Sequence, residues 1–207
     1  MYVRFIKRFI DLTVSIFLSG LLLPILPVIA CLIWIDIKES PFFRQKRPGK
    51  NERIFTLLKF KTMETKTTKD GTLLPDGERI SRSGRFLRKY SLDELPELWN
   101  IIKGDMSLVG PRPLLIRYLP YYSETEKKRH DIRPGITGPA QVSGRNFLNW
   151  DKRLALDVEY VENISFSSDL KIIIKTFFQL FRAEGVSVNP DEAESYLDEE
   201  RSHRLHG

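Results

Sequence analysis

Cysteine and histidine are scarce in this 207-residue chain, which holds one Cys (Cys31) and three His (His130, His203 and His206). A disulfide scaffold is therefore excluded. A His-rich zinc site has too few donors, and a Ser-His-Asp triad has essentially one candidate base. No internal repeat is visible. Whatever chemistry the chain performs must be sought among its carboxylates and arginines.

Apolar and aromatic residues are not lacking. Thirteen Phe, 7 Tyr and 3 Trp within a 42% hydrophobic composition supply a core and argue against disorder. The length suits one domain of ordinary size. The net charge of +6 is unevenly placed: residues 1–50 carry +5, residues 51–182 carry +6 and residues 183–207 carry −5. The C-terminal stretch reads as an acidic, solvated, mobile tail. The basic remainder favours anionic partners such as a membrane surface, nucleotide phosphates or nucleic acid.

Residues 13–35 contain no charge. As one straight helix they would extend about 34 Å, enough to cross a bilayer core of roughly 30 Å. Pro24 lies at the centre of the run and Pro27 follows it, so the backbone bonds to the carbonyls of Gly20 and Leu23 are lost and the helix should bend. Arg4, Lys7 and Arg8 precede the run, while Lys38, Arg44, Lys46, Arg47 and Lys50 follow it. Positive flanks stay cytoplasmic, so both ends ask for the same side. A re-entrant hairpin satisfies both, with a spanning anchor as the simpler alternative. Val28-Ile29-Ala30-Cys31 also resembles a lipoprotein cleavage box, but apolar residues continue past Cys31 and a basic stretch follows, a poor start for an exported chain.

Beyond a basic, turn-rich loop at 41–50, residues 53–63 alternate as a short strand or hairpin arm, and 66–78 form a loop around Asp70-Gly71 and Pro75-Asp76-Gly77. Arg79, Arg82, Arg85, Arg88 and Lys89 come next, and a helix would gather most of them on one side. They lead into SLDELPELW at 91–99. Ser91 and Glu94 fit a capping box, with Asp93 in the first helical turn, and on this reading the two acids serve only a helix N-terminus. Alternatively, a carboxylate among arginines stays ionised, can share a Mg²⁺ with a phosphate and can attack phosphorus.

The motifs SLDELP at 91–96, KGDMSLVGPRP at 103–113, RPGITG at 133–138, AQV at 140–142 and Gly144-Arg145 occur in fixed order. Together they resemble the bacterial sugar transferase family, the small monotopic phosphoglycosyl transferases that start glycan assembly, over roughly residues 1–185. The resemblance implies that Asp93 is the nucleophile and Glu94 its dyad partner, both near a Mg²⁺ cofactor. Arg112 and Arg145 match arginines near substrate phosphates or nucleotide, and Pro24 matches the proline that bends the re-entrant membrane helix. The implied reaction moves a phospho-sugar from a UDP-sugar, expected to be N-acetylated, to undecaprenyl phosphate, releasing UMP through an aspartyl phospho-sugar. The implied setting is the cytoplasmic face of the bacterial inner membrane, among membrane lipids, with downstream glycosyltransferases as possible partners. Leu23 and Pro139 depart from the family pattern, which often has Ser and Leu there.

Further substrate-binding candidates are Arg88, five residues before Asp93 and able to pair with either acid, and Lys59, which with Lys61 lies on the alternating segment. Lys127-Lys128-Arg129-His130 reads as a solvated or headgroup-facing run. Residues 169–182, rich in Ile and Phe with Lys171, Lys175 and Arg182, read as a basic amphipathic helix, packed in the core or lying in the membrane interface. The expected fold is α+β, mainly helical with a small β-hairpin, and monotopic. It divides into a re-entrant helix at 1–38, a catalytic domain with interfacial helices at 39–185, and the tail at 186–207. A membrane-anchored nucleic-acid-binding module is the alternative function, but no stacking motif or recognition helix accompanies the charge, so nucleic acid is not an expected partner.

Overall fold

A computed structural model describes residues 1–144, 148–182 and 196–205. A π-helical turn, Tyr2–Ile6, leads into α1 (Lys7–Leu22), followed by α2 (Ile25–Ile37), β1 (Phe42–Pro48) and β2 (Ile54–Phe60). Then come α3 (Asp76–Arg79), α4 (Arg82–Lys89), a 3-10 turn at Leu92–Glu94, α5 (Glu97–Lys103) and β3 (Ser107–Val109). After a 3-10 segment at Ile116–Tyr121 follow α6 (Glu124–Lys127), β4 (Gly135–Thr137), α7 (Pro139–Ser143), α8 (Trp150–Glu162), α9 (Phe166–Arg182) and α10 (Leu197–Leu205). The fold is thus mainly helical α+β, as expected, but with two small sheets. β1 and β2 form the antiparallel hairpin, and β3 pairs in parallel with β4.

The proline bend is present. No single described helix is long and apolar enough to cross a membrane; α1 and α2 together are, by length and composition, and they meet at 63°. Pro24 caps α2, and the Gly20 carbonyl that Pro24 cannot serve accepts a 3.4 Å bond from the Leu23 N–H instead. One side of the pair is tied to the body. Ile29, Ile33 and Ile37 are buried against Phe60 and Leu87, and Leu18 and Leu22 pack against a cluster around Leu98, Ile101 and Met106. The opposite side, with Phe9, Phe17, Leu21, Val28, Leu32 and Trp34, is exposed.

Three polar anchors fix α1 and α9. Lys7 Nζ and Tyr2 OH each donate to Asp169 Oδ2 at 2.6 Å, and Asp11 accepts from Ser107 Oγ and the Leu108 N–H. Charged side chains this buried are tolerated only when paired. On α9, Asp169 and Ile172 face inward while Phe166, Leu170, Ile174, Phe177 and Phe178 stay exposed.

The glycine motifs serve backbone contact. A Cβ on Gly138 would lie 2.1 Å from the Gly110 carbonyl oxygen and one on Gly135 2.2 Å from the Gly110 nitrogen, so the β3–β4 junction admits only glycine there.

Two expectations need correction. Arg129 and His130 are not part of a solvated face: both are buried, and Arg129 pairs with Asp157. The short turn that follows α6 points these two side chains inward, leaving only Lys127 and Lys128 to outward partners, Glu124 and Glu162. The segment read as a mobile tail also carries α10. Leu197 is fully buried in a cluster with Leu114, Tyr118, Trp150 and Leu154, and Arg201 reaches Glu126 and Asp151, so residues 196–205 are docked.

Candidate active site

The acidic pair sits where α4 gives out. Tyr90 closes that helix, Ser91 takes a left-handed backbone (φ 54°, ψ 25°), and the Leu92–Glu94 turn follows. A left-handed non-glycine residue costs roughly 1–3 kcal/mol and persists only where its surroundings impose it. Here the Ser91 N–H donates to the Arg88 carbonyl at 3.0 Å and the Glu94 N–H to the Ser91 carbonyl at 3.3 Å. The expected capping box does not form: the Ser91 side chain makes no cap bond, and the Glu94 carboxylate turns to cations instead.

Those cations come from two other elements. Lys59 on β2 and Arg112 after β3 both donate to Glu94 Oε1, at 2.8 Å and 2.7 Å. Asn100 on α5 holds β2 in place, accepting from the Leu58 N–H at 3.1 Å and donating to the Thr56 carbonyl at 2.8 Å. α5 thereby fixes the height of Lys59. Lys59 also lies 3.0 Å from Glu97, whose side chain is only 2% exposed. Arg112 keeps 42% of its side chain exposed, so it can hold Glu94 and still present a guanidinium face to a ligand.

The three acids have been driven into different states. Burial opposes ionisation of Glu94, yet Arg112 and Lys59 outweigh it and hold the carboxyl far below its usual range. Burial pushes Glu97 up to about 7, with the Glu94 charge adding to it and Lys59 working against it. Asp93 is raised too, by burial first and then by the Glu94 charge, despite Lys59, Arg112 and Arg88. Among the described residues Asp93 has no hydrogen-bond or ion-pair partner, unlike its neighbour. Environments that separate neighbouring acids in this way commonly divide chemical roles.

Of the sequence candidates, Asp93, Glu94, Lys59 and Arg112 are brought together. Arg88 is buried behind them, donating to Thr62 Oγ1 at 3.0 Å and Met63 Sδ at 2.9 Å, and acts on Asp93 only through its charge. It pairs directly with neither acid. Arg145 lies outside the described residues. Lys61, the other lysine of the alternating segment, goes to Glu39. Glu97 was missed; its place one turn after Glu94, at the start of a helix, was the available signal. Among the described residues no group of three His, Cys, Asp or Glu is placed to hold a metal. The unpartnered Asp93 carboxylate fits a Mg²⁺ that takes one or two protein carboxylates and completes its shell with phosphate oxygens and water. Glu94 is largely committed to its cations.

Beside the dyad opens a cleft of about 200 Å³, lined by Arg47, Lys59, Glu97, Arg112, Tyr118 and Trp150 among others. Glu97 faces Lys59 from β2, Arg112 after β3, Glu94 on the turn and Arg47 from β1. Because its folded pKa of about 7 exceeds the ordinary 4.5, the fold favours the protonated form. This contribution to stability is present below about pH 4.5 and is lost as the pH rises through about 7. Glu97→Gln should therefore gain about 3 kcal/mol relative to wild type between acid and mildly alkaline pH. Urea midpoints in detergent at both ends of that range measure it, and parallel stability curves would rule it out.

The sequence profile of the bacterial sugar transferase family matches residues 2–183. The uncharacterized sugar transferase EpsL of Bacillus subtilis is 48% identical over 181 residues, covering 87% of this chain and 90% of its own length. A UDP-glucose:undecaprenyl-phosphate glucose-1-phosphate transferase of Caulobacter vibrioides is 37% identical over 82% of this chain and 67% of its own length. The undecaprenyl-phosphate galactose phosphotransferase of Salmonella typhimurium is 34% identical over 88% of this chain, which spans 42% of that relative.

Proposed function

The chain belongs to the bacterial sugar transferase family, and from that premise we propose that it transfers a sugar phosphate from a UDP-sugar to undecaprenyl phosphate through an aspartyl intermediate. The observation that carries the reading is the division of labour in the dyad. Glu94 is gripped by two cations, whereas Asp93 has no partner among the described residues and is raised in pKa. A raised pKa means a more basic carboxylate, and an unpaired one is open to attack an electrophile.

In this reading an Asp93 oxygen attacks the sugar-bearing phosphorus, and the pyrophosphate P–O bond breaks to release UMP. A phosphate oxygen of the lipid then attacks the same phosphorus, and the Asp93 carboxylate leaves, giving the diphosphate-linked sugar. Phosphoryl transfer asks chiefly for positioning and charge neutralisation. Arg112 and Lys59 supply the neutralisation, with Glu94 keeping both pointed inward. Mg²⁺, held by Asp93 and substrate oxygens with Glu94 nearby, would add a positive charge to the diphosphate.

The membrane setting is part of the proposal. The bent α1–α2 pair, basic on both flanks, enters and leaves the cytoplasmic leaflet of the inner membrane, and the exposed Phe and Ile face of α9 lies in the interface. Lipid-linked acceptor and soluble donor then meet at headgroup height. The relatives reported above that are named for a sugar are named for glucose and galactose. The N-acetylated sugar expected from sequence therefore stands beside neutral hexoses as a donor to assay. A panel of UDP-sugars incubated with the protein and undecaprenyl phosphate should yield many equivalents of UMP with at least one donor, and no more than one equivalent per protein when the lipid is left out. No UMP from any donor, with a preparation that is folded and monodisperse, removes the proposal.

A further inference from the structure

Among the described residues, one cation in the cleft has no acidic partner. Arg47 Nη2 donates to Gln45 Oε1 at 2.6 Å, its Nε is buried without a partner, and among the described residues no carboxylate lies within 4 Å. Burial and the neighbouring Arg112 push its pKa down only to about 10, so it remains charged at neutral pH. Lys59 and Arg112 are held by Glu94, with Glu97 beside Lys59 and the Asp93 charge acting on both, which leaves Arg47 as the cleft's cation with a free hydrogen-bonding nitrogen. A buried guanidinium nitrogen with no acceptor is costly until one joins it, and an anionic oxygen is the strongest acceptor available.

The cleft has a second character. Pro113, Leu114, Leu115, Tyr118 and Trp150 give it an apolar and aromatic wall opposite the cations. Its volume of about 200 Å³ is smaller than the roughly 300–1,000 Å³ of a pocket that encloses a whole ligand. It therefore suits part of a ligand, with the rest emerging toward the dyad. Lys59 and Arg112 belong both to the cleft and to the grip on Glu94, which joins the two spaces. None of the lining residues comes from α1, α2 or α9, the helices proposed above to meet the membrane.

We infer that this cleft seats the nucleoside diphosphate half of the donor, with Arg47 binding the phosphate nearer the nucleoside and the Leu114–Tyr118 wall receiving the nucleoside itself. The inference rests on the donor being a nucleotide sugar, as proposed above. It places the second phosphate against Arg112 and Lys59, beside Asp93, and gives the released nucleoside monophosphate a site of its own.

The test uses the full chain in detergent with two variants, Arg47→Ala and the volume-retaining Arg47→Met. UDP titrated by calorimetry should bind either variant at least tenfold more weakly than wild type. The KM for the sugar donor should rise by a similar factor, while the KM for undecaprenyl phosphate stays within twofold. Melting temperatures should not fall, because an uncompensated buried charge has been removed. In wild type, UDP should bind at least tenfold more tightly than inorganic phosphate. Unchanged UDP affinity in both variants overturns the inference. A rise in the lipid KM alone overturns it as well and assigns Arg47 to the acceptor, and equal affinity for UDP and inorganic phosphate removes the nucleoside seat. Arg47-dependent UDP binding in a wild type that transfers no sugar phosphate would uphold the cleft while ending the transferase reading.

Discussion

Asp93→Asn is expected to abolish sugar-phosphate transfer, lowering turnover on the order of 10³-fold or more, as loss of a covalent nucleophile does elsewhere. The amide is nearly isosteric but cannot displace UMP. Wild type incubated with donor and without lipid should gain the mass of one sugar phosphate, and the variant should gain none. Stability should not decline. The raised pKa means that ionised Asp93 is held at a cost beside Glu94, and the substitution removes that like charge. A direct displacement by the lipid phosphate, with Asp93 serving only to hold Mg²⁺, predicts the same loss of turnover. It also predicts no adduct in wild type and no ping-pong kinetics. The adduct therefore decides between the two routes, and its absence from active wild type would exclude the covalent one.

What the sequence disclosed, and what it hid, follows from the range of the interactions. The bend at Pro24 is local: a residue without an N–H cannot serve Gly20, and the chain turns by 63°. The alternating segment at 53–63 was equally local and became β2 of the hairpin. The Asp93–Glu94 pair was singled out by a run of motifs, but not the reason Glu94 differs from Asp93 in its surroundings. That difference is made by Lys59, 35 positions earlier, and Arg112, 18 later. The capping box failed for the same cause, since a side chain offered a backbone N–H or two cations takes the charge-assisted bonds. Glu97 and Arg47 were hidden because nothing in their own neighbourhoods states that β1, β2 and α5 enclose a common cleft. Arg129 was misread because a run of four basic residues looks solvated until its partner, 28 residues on, is known.

Asp157→Asn is expected to produce the largest loss of stability, about 3–5 kcal/mol, by leaving a buried guanidinium uncompensated. Asp157 Oδ2 accepts from Arg129 Nη2 at 2.7 Å and from Nε at 3.2 Å, and the two side chains are only 2% and 1% exposed. The pair also bears on chemistry, because Arg129 Nη2 donates at 2.7 Å to the backbone carbonyl of Arg112. The ion pair in the fold thus braces the cation that holds Glu94. Replacing both partners by apolar residues, Arg129→Met with Asp157→Leu, separates the two roles. Removing both charges should return much of the stability, since a buried ion pair is rarely better than well-packed apolar side chains. The bond to the Arg112 carbonyl is not returned, so turnover should stay depressed by about tenfold or more, the scale on which a small displacement of a positioning group acts. Urea melts and steady-state rates on the same preparations resolve the two. A double variant that regains stability and full turnover would mean that Arg112 is held in place by its grip on Glu94 alone.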